Sequence, residues 1–293
     1  MLKAPRNALR PLLVMLVCWP ATAQAAKQAR APQGTSSREA RDEAMRAIPY
    51  NQLDRHARIK VGAVLANTTI YRHLPSETIE CDAALFVFLV EHPDLVVNMW
   101  EVLGVSDVEL LRAGDHAFQA SDKAGTRGHI EYLFDGPQVH VVYAEGTYTG
   151  SLLPRPVHGR CVILLRSNYL RAADGRPIVR SNIDAFVYLE NVGVGVLAKT
   201  FQPLVTSSAD HNFRETTRFL ASVHRAAETN YAGMQRLAQK LTKIDDGDRR
   251  EFADLTTQLA VRAALAETPS PARSANPARP STAGRPAPRL RKR

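Results

Sequence analysis

The chain has 293 residues, of which 45% are hydrophobic, and a formal net charge of +9. This length allows one large or two small domains with a sizeable core. The positive charge is concentrated at the two ends, whereas residues 51–267 are mildly acidic. The composition therefore argues against a basic nucleic-acid-binding domain, and no specific nucleic-acid binding is expected.

Residues 1–25 have the features of an export signal. Lys3, Arg6 and Arg10 are positively charged, the apolar run from Leu12 to Trp19 follows, and the last residues are mostly small. The apolar run is about half of the roughly 20 residues that a membrane-spanning helix needs. We therefore predict a signal peptide and a mature protein in the periplasm or outside the cell.

Two further terminal segments are predicted to lie outside the folded core. Residues 26–50 consist mainly of polar residues and residues with small side chains, which predicts a linker. Residues 267–293 are rich in Pro, Ala and Arg, which predicts a disordered tail. The cationic end of the tail is a candidate for contact with an anionic surface, and a solvated tail without a dedicated partner is the alternative.

The first folded segments combine extended chain with two short helices. Residues 68–81 are β-branched and alternating around Pro75, which predicts an extended segment or a hairpin. Asp82 is a predicted N-cap for a helix over 83–91. Pro93 should end that helix, and Asp94 is a predicted cap for a second one that ends near Gly104.

Residues 105–190 have the pattern of an antiparallel sheet. Turn sequences such as Asp135-Gly136-Pro137 separate segments that are rich in Val, Ile, Leu, Tyr and Phe. Along the last segment Ile183, Ala185, Val187 and Leu189 alternate with a mixed set, so this strand has one wholly apolar face. The predicted strands are 106–112, 116–121, 127–134, 138–149, 160–170 and 176–189.

The C-terminal part returns to helical periodicity. A short helix is predicted over 196–205, interrupted at Pro203, and a long one runs from Ser208 or Asp210 to about Ala227. Its apolar stripe is Phe213, Thr217, Leu220, Val223 and Ala227. Asn230 and Asp248 are the predicted N-caps of two further helices within residues 231–266.

This order of elements resembles the START-like superfamily of helix-grip proteins, whose members include polyketide cyclases and lipid-transfer proteins. The residues that carry the likeness are 69–80 as first strand, 82–103 as the helical pair and 212–227 as the gripped helix. The resemblance implies an α+β fold over 51–230, in which a curved sheet of six to seven strands wraps a long C-terminal helix. It also implies an apolar cavity between them. The chain also resembles secreted bacterial proteins, but this resemblance implies no particular activity.

The cavity implied by the resemblance directs the choice of candidate ligand-binding residues. Trp100 and Phe213 are candidates for its apolar wall, although a purely structural role in the core is the simpler interpretation. Polar side chains on the predicted strands are candidates for orienting a head group: Tyr132, Tyr143, Glu145, Tyr148 and Arg166.

Motifs for catalysis and metal binding do not occur in the sequence. No His-Glu-x-x-His, paired Cys-x-x-Cys, Gly-x-Ser-x-Gly or phosphate-loop pattern is present, so no metal or cofactor is predicted. His129, Glu131, His140 and Glu145 lie on predicted neighbouring strands and are the best acid/base candidates. Cys81 and Cys161, which remain after removal of the signal, form either a disulfide or two buried thiols.

Three functions follow as hypotheses. The first is an exported, non-catalytic protein that binds a lipid or another apolar small molecule between sheet and helix. The second is an envelope interaction or scaffolding protein whose core is filled by side chains. The third, which rests on the resemblance alone, is a cyclase- or hydratase-like enzyme.

Overall fold

An eight-stranded antiparallel sheet forms the centre of the computed structural model, which describes residues 34–150, 155–190, 192–193 and 208–267. The predicted signal peptide, the short helix over 196–205 and almost all of the predicted tail lie outside these residues. Within them the fold is α+β, with a curved sheet packed against a long C-terminal helix and further C-terminal helices. The predicted helix-grip architecture is confirmed.

The strands and helices alternate in blocks along the chain. The strands are β1 (Ile70–His73), β2 (Glu77–Glu80), β3 (Glu109–Gly114), β4 (Ala117–Ser121), β5 (Thr126–Asp135), β6 (Val139–Tyr148), β7 (Val157–Arg171) and β8 (Pro177–Leu189). The helices are α1 (Arg38–Ala47), α2 (Arg55–Ala66), α3 (Ala83–Glu91), α4 (Pro93–Val102), α5 (Ala209–Thr229), α6 (Tyr231–Lys240) and α7 (Asp246–Glu267).

The strand order is β1-β8-β7-β6-β5-β4-β3, and β2 also pairs with β8. A hairpin between β1 and β2 was one of two alternatives from the sequence, and it is wrong. Ile70 pairs with Val187 and Ile79 with Val179, so the two short strands follow one another along the same edge of β8. Pro75 lies between them and has no N–H to donate, which accounts for the break.

Local capping signals explain where α3 and α4 begin. The Asp82 side chain accepts hydrogen bonds from the backbone N–H groups of Ala84 and Leu85, as predicted. Pro93 is the first residue of α4, where a missing N–H costs nothing. Asp94 does not cap this helix, contrary to the prediction. It is buried inside the first turn and binds Arg112 instead.

The inner face of the sheet grips α5. Apolar side chains on β7 and β8, among them Ile163, Ile183 and Ala185, share one core with α3, α4 and α5. The predicted stripe of α5 is confirmed, since all five of its residues are buried. A helix of 21 residues is about 32 Å long, which is enough to cross several strands.

The two last helices belong to the same core as α5. Phe252 of α7 is fully buried, and its ring lies 6.4 Å from that of Phe88 on α3. Asn230 caps α6 through the N–H of Gly233, as predicted. Asp248 is not the cap of α7, because the helix already begins at Asp246. These helices therefore extend the hydrophobic core beyond residue 230.

The outer face of the sheet is covered by α1 and α2. Ala44 and Val61 are fully buried in a second core that includes Val162, Leu164 and Phe186 of the sheet. Thr35 adds a backbone bridge to His73 at the edge of β1. The prediction of a linker over 26–50 is therefore wrong from residue 38 onwards. The sequence pattern indicated a linker because most residues of α1 are charged. The buried residue of this helix, Ala44, is small and gives little hydrophobic signal.

Cys81 and Cys161 are both buried free thiols, so the disulfide alternative is wrong for this structure. Burial raises the pKa of both thiols above the ordinary value of 9.0. The thiolate is the reactive form of cysteine, so the two side chains act as small apolar groups of the inner core.

Among the described helices, none is long and apolar enough by itself to cross a membrane. Taken together, α3 and α4 meet the length and composition of a span, but their axes are bent by 88°.

Candidate functional site: a cavity beneath the gripped helix

An apolar cavity of about 100 Å³ lies between the inner face of the sheet and the helices α3, α4 and α5. Strands β3 and β5 to β8 contribute one wall, and the three helices contribute the other. The lining residues are Phe86, Leu89, Val90, Pro93, Val96, Val97, Trp100, Leu110, Tyr132, His140, Val142, Ile163, Leu165, Ser181, Ile183, Phe213, Thr216, Thr217 and Leu220.

His140 is the one titratable imidazole in this wall. It occupies an inward position on β6, two residues before Val142, and its side chain is 0% exposed. Its Nε2 lies 3.4 Å from Oε1 of Glu91, at the end of α3. Burial lowers the pKa of His140 below its ordinary value of 6.5, and the Glu91 carboxylate only partly opposes this effect. The imidazole is therefore neutral at neutral pH.

Four residues that line the cavity have a buried polar side-chain atom without a hydrogen-bond partner among the described residues. The atoms are Nε1 of Trp100, Nδ1 of His140, Oγ of Ser181 and Oγ1 of Thr216. A buried polar atom without a partner typically costs about 1–3 kcal/mol of stability. These atoms are not accessible from the cavity, whose surface is almost entirely apolar.

Tyr132 contributes its ring to the cavity, whereas its hydroxyl group is already engaged. The hydroxyl donates a hydrogen bond to the carbonyl oxygen of Val90 at 2.5 Å. Its edge-to-face contact with His140, with ring centroids 6.3 Å apart, fixes the imidazole from the side. Tyr132 therefore shapes the wall and holds α3 against β5.

The structure separates the seven predicted ligand-binding residues into two groups. Trp100, Tyr132 and Phe213 line the cavity, and Tyr148 is buried in the inner core without being part of the lining. The remaining three do not reach the cavity, because they lie on the outer face: Tyr143, Glu145 and Arg166.

These outer-face residues take part in local polar contacts. The hydroxyl of Tyr143 donates to Oε2 of Glu145 at 2.8 Å, and the amine of Lys60 lies 4.9 Å from the centre of the Tyr143 ring. Lys60 also forms an ion pair with Glu131. The contacts connect α2 to the sheet, and the residues therefore contribute to the attachment of the N-terminal helices.

A fully buried carboxylate, Asp184, forms the centre of the outer-face network. It accepts hydrogen bonds from Tyr71 at 2.7 Å and Arg166 at 2.8 Å, and it lies 2.7 Å from Nδ1 of His73. Burial alone raises the pKa of Asp184, but the hydrogen bonds from His73 and Tyr71 and the charge of Arg166 outweigh it. The pKa therefore lies below the ordinary 3.8.

A second ion cluster connects α4, β3 and α7. Arg112 contacts both carboxylate oxygens of Asp94 at 3.2 Å and Asp248 at 3.1 Å. His92 lies 3.3 Å from the same Asp248. Burial raises the pKa of Asp94, although the charge of Arg112 opposes this. Because its charged groups pair with each other, the cluster holds the C-terminal helix in place.

The four predicted acid/base candidates do not form one site. His129 and Glu145 are directly opposite each other on β5 and β6, but His129 contacts Gln119 and Glu145 contacts Tyr143. Only His140 faces the cavity. Among the described residues, no three His, Cys, Asp or Glu side chains are grouped so that they could hold a metal ion.

Sequence reasoning missed most of the polar residues among those that line the apolar cavity. Ser181 and Thr216 were not identified, and His140 was considered only as a partner of outer-face residues. A signal was present, since His140 and Val142 have the same parity on one strand and must share a face. Glu91 had no such signal, because it approaches His140 from a helix that is distant along the chain.

No family model and no curated protein matches the chain. Solved structures resemble it distantly. A conserved protein from Geobacillus kaustophilus is 12% identical over 52% of this chain and 95% of its own, with a TM-score of 0.34. Norcoclaurine synthase from Thalictrum flavum is 12% identical over 52% and 89%, with a TM-score of 0.28. Apo dicamba monooxygenase is 12% identical over 75% and 63%, with a TM-score of 0.29. Similarity at this level carries no argument about function.

Proposed function

We propose that the protein is exported and binds a small, mainly apolar molecule in the cavity beneath α5. The observation that carries this proposal is the apolar cavity itself, which lies where the sheet and the gripped helix would otherwise pack directly together. Side chains normally fill protein interiors almost completely. A space of this kind in the middle of a core is the usual form of a small-molecule site.

The binding energy in this proposal comes mainly from burial of apolar surface. Each Å² of ligand surface that leaves water contributes about 25 cal/mol, before the costs of association are subtracted. Phe86, Trp100 and Phe213 supply rigid aromatic walls, which lose little conformational entropy when a ligand binds.

The cavity volume favours a compact ligand over a long lipid chain. A cavity of about 150 Å³ with similar apolar lining accommodates benzene, and the present cavity is about 100 Å³. A ligand the size of one small ring is therefore at the upper limit. A lipid chain would require α5 or α4 to move away from the sheet.

The proposal of a binding protein competes with that of a scaffold that has a filled core. A substitution that fills the cavity distinguishes the two proposals. It abolishes ligand binding if the protein is a binding protein. It leaves partner interactions unchanged if the protein is a scaffold, because a scaffold binds partners through its surface.

A matched pair of substitutions on edge strand β3 tests the binding proposal. Leu110 lines the cavity, and its neighbour Leu111 faces the other way and is 42% exposed. Benzene binding to the full chain is measured by saturation-transfer NMR for the wild type, Leu110→Trp and Leu111→Trp. We expect benzene to bind the wild type and Leu111→Trp, and binding to be lost in Leu110→Trp.

Folding of each variant is checked by its thermal transition in circular dichroism. Equal benzene binding in Leu110→Trp and the wild type would place the probe elsewhere on the protein and overturn the proposal. Absence of benzene binding to the folded wild type would do the same.

The export part of the proposal is supported by the charged and apolar pattern of residues 1–25. Expression of the full chain and of a form without residues 2–25, followed by cell fractionation, tests it. We expect the full chain in the periplasm or the medium, shortened by about 25 residues, and the truncated form in the cytoplasm. Retention of an unprocessed full chain inside the cell would contradict export.

A further inference from the structure

The described side chains around the cavity turn almost no polar atom towards it. The surface that they form is almost entirely apolar, although six of them contain a nitrogen or oxygen atom. These six residues are Trp100, Tyr132, His140, Ser181, Thr216 and Thr217.

Three of the polar atoms are already engaged with other parts of the protein. The hydroxyl of Tyr132 donates to the carbonyl oxygen of Val90 at 2.5 Å. The hydroxyl of Thr217 donates to the carbonyl oxygen of Arg214, one turn earlier on α5, at 3.0 Å. Nε2 of His140 lies 3.4 Å from the Glu91 carboxylate. A ligand could use these atoms only by breaking contacts that hold the wall together.

The remaining polar atoms are buried within the wall. They are Nδ1 of His140, Nε1 of Trp100, Oγ of Ser181 and Oγ1 of Thr216, and each exposes almost no surface. These residues therefore contribute mainly carbon atoms to the surface of the cavity.

A water molecule cannot supply the missing hydrogen bonds. A buried water needs two to four polar partners, and the described lining offers almost none. A polar group of a ligand would thus find neither a protein partner nor an ordered water to bridge to one.

We propose that the cavity selects ligands without any hydrogen-bonding group, namely small hydrocarbons or their halogenated derivatives. This assignment rests on the proposed function, and it adds the chemical class of the ligand. It excludes a polar head group from the cavity, in contrast to the orienting role that the sequence suggested for strand-borne polar residues.

The selection follows from what each class of ligand loses on leaving water. A hydroxyl, amine or carbonyl group loses its hydrogen bonds to water and finds no replacement in the cavity, which makes its transfer unfavourable. A charged group is disfavoured even more strongly. A hydrocarbon has no such bonds to lose, and it gains from the burial of its whole surface.

A pair of probes of equal size isolates the effect of one polar atom. Benzene and pyridine have the same number of ring atoms, and they differ by one C–H against one nitrogen that accepts a hydrogen bond. Both compounds are uncharged at pH 8. Their Kd values for the full chain are measured by NMR titration at this pH, and the quantity of interest is the Kd of pyridine divided by that of benzene.

Two neighbouring valines on β6 provide the matched variants. Val142 lines the cavity, whereas Val141 belongs to the second core on the outer face, and both are buried. Threonine has the shape of valine with a hydroxyl in place of one methyl group. Val142→Thr therefore adds a hydrogen-bond donor to the cavity wall, and Val141→Thr adds the same group on the opposite side of the sheet. Circular dichroism checks that each variant is folded.

We expect pyridine to bind the wild type at least about tenfold more weakly than benzene, which corresponds to about 1.4 kcal/mol. In Val142→Thr the new hydroxyl can donate to the pyridine nitrogen, so the ratio should fall at least about threefold. The ratio in Val141→Thr should equal that of the wild type.

The outcomes separate this assignment from the proposed function. If benzene binds and pyridine binds the wild type equally well or more tightly, the ligand class is overturned while the apolar site stands. An unchanged ratio in folded Val142→Thr would show that this lining does not set the preference, and it would overturn the assignment too. The wild-type ratio decides by itself if Val142→Thr does not fold. If benzene does not bind the folded wild type, the proposed function fails and the assignment falls with it.

Discussion

The two faces of the sheet are both buried, but they treat their polar groups in opposite ways. On the outer face Asp184 is surrounded by three partners, and each of them reaches it within 2.8 Å. On the inner face the side chains surround an apolar cavity, and Nδ1 of His140 and Oγ of Ser181 have no hydrogen-bond partner within the part of the chain that the structure describes. The outer face thus attaches α1 partly through ion pairs around a buried carboxylate, whereas the inner face is mainly apolar.

This difference explains why the same residue types have different meanings at different positions. His73, at the outer edge, is 27% exposed and contacts the Asp184 carboxylate through Nδ1. His140 is fully buried and contacts Glu91 through Nε2, while its Nδ1 has no hydrogen-bond partner among the described residues. The surroundings therefore distinguish the two imidazoles, although the residue type is the same.

The largest expected effect comes from breaking the outer-face network at its centre. Asp184→Ala removes the buried carboxylate and leaves Arg166 and Tyr71 without their partner. We expect the free energy of unfolding, measured by urea denaturation, to decrease by about 3–5 kcal/mol. Asp174→Ala, in an exposed turn, is the control and should leave the stability almost unchanged. Equal losses would refute a structural role for the network.

The attachment of α1 to the outer face is tested next. Ala44 is 0% exposed, and Ala63 on α2 is exposed. Ala44→Asp places a charge in the second core without a partner, so we expect it to destabilise the protein by about 2–3 kcal/mol. Ala63→Asp should change stability by less than about 0.5 kcal/mol. If both variants unfold at the same urea concentration, residues 38–47 do not pack as described.

A direct comparison of the two faces removes one hydroxyl group from each. Tyr71→Phe deletes a donor to the Asp184 carboxylate and should cost about 1.5 kcal/mol or more. Ser181→Ala deletes a buried hydroxyl that has no partner among the described residues, so stability should not fall below that of the wild type. Urea denaturation measures both. A larger loss for Ser181→Ala than for Tyr71→Phe would reverse the interpretation of the two faces.

The smallest expected effect is the pH dependence contributed by His140. Its pKa is lower in the folded protein than the ordinary 6.5, so below pH 6.5 the unfolded chain binds a proton that the folded chain does not. Stability therefore decreases as the pH falls from 6.5 towards the folded pKa, by up to about 1.4 kcal/mol per pH unit.

The measurement compares urea denaturation of the wild type and His140→Leu between pH 7.5 and 5. We expect the variant to lose less stability over this range than the wild type does. Identical slopes for the wild type and His140→Leu would show that the buried imidazole is protonated as easily as in the unfolded chain.

The inner half of the fold was predictable because its signals are local. Asp82 before an apolar run marks the start of α3, and the spacing from Phe213 to Ala227 marks the gripped face of α5. The two-residue alternation from Ile183 to Leu189 likewise predicted which side of β8 faces inward. In each of these cases a few neighbouring residues contain the whole pattern.

The outer layer was missed although the sequence contained a hint of it. Val162, Ile163 and Leu164 are three successive apolar residues on β7, and such a run indicates a strand that is buried on both faces. The covering helix α1 has little apolar surface of its own, so nothing in residues 38–47 identified it as the cover.

The sequence alone determined the helix-grip order of elements, the capping of α3 and the apolar stripe of α5, because these depend on periodicity and on contacts within a few residues. Only the tertiary structure decided that Glu91 meets His140, that Trp100 and Ser181 line the same cavity and that Arg166 faces away from it. Such contacts join residues on separate elements, and their distances are set by how sheet and helices pack. Local sequence patterns do not encode that packing.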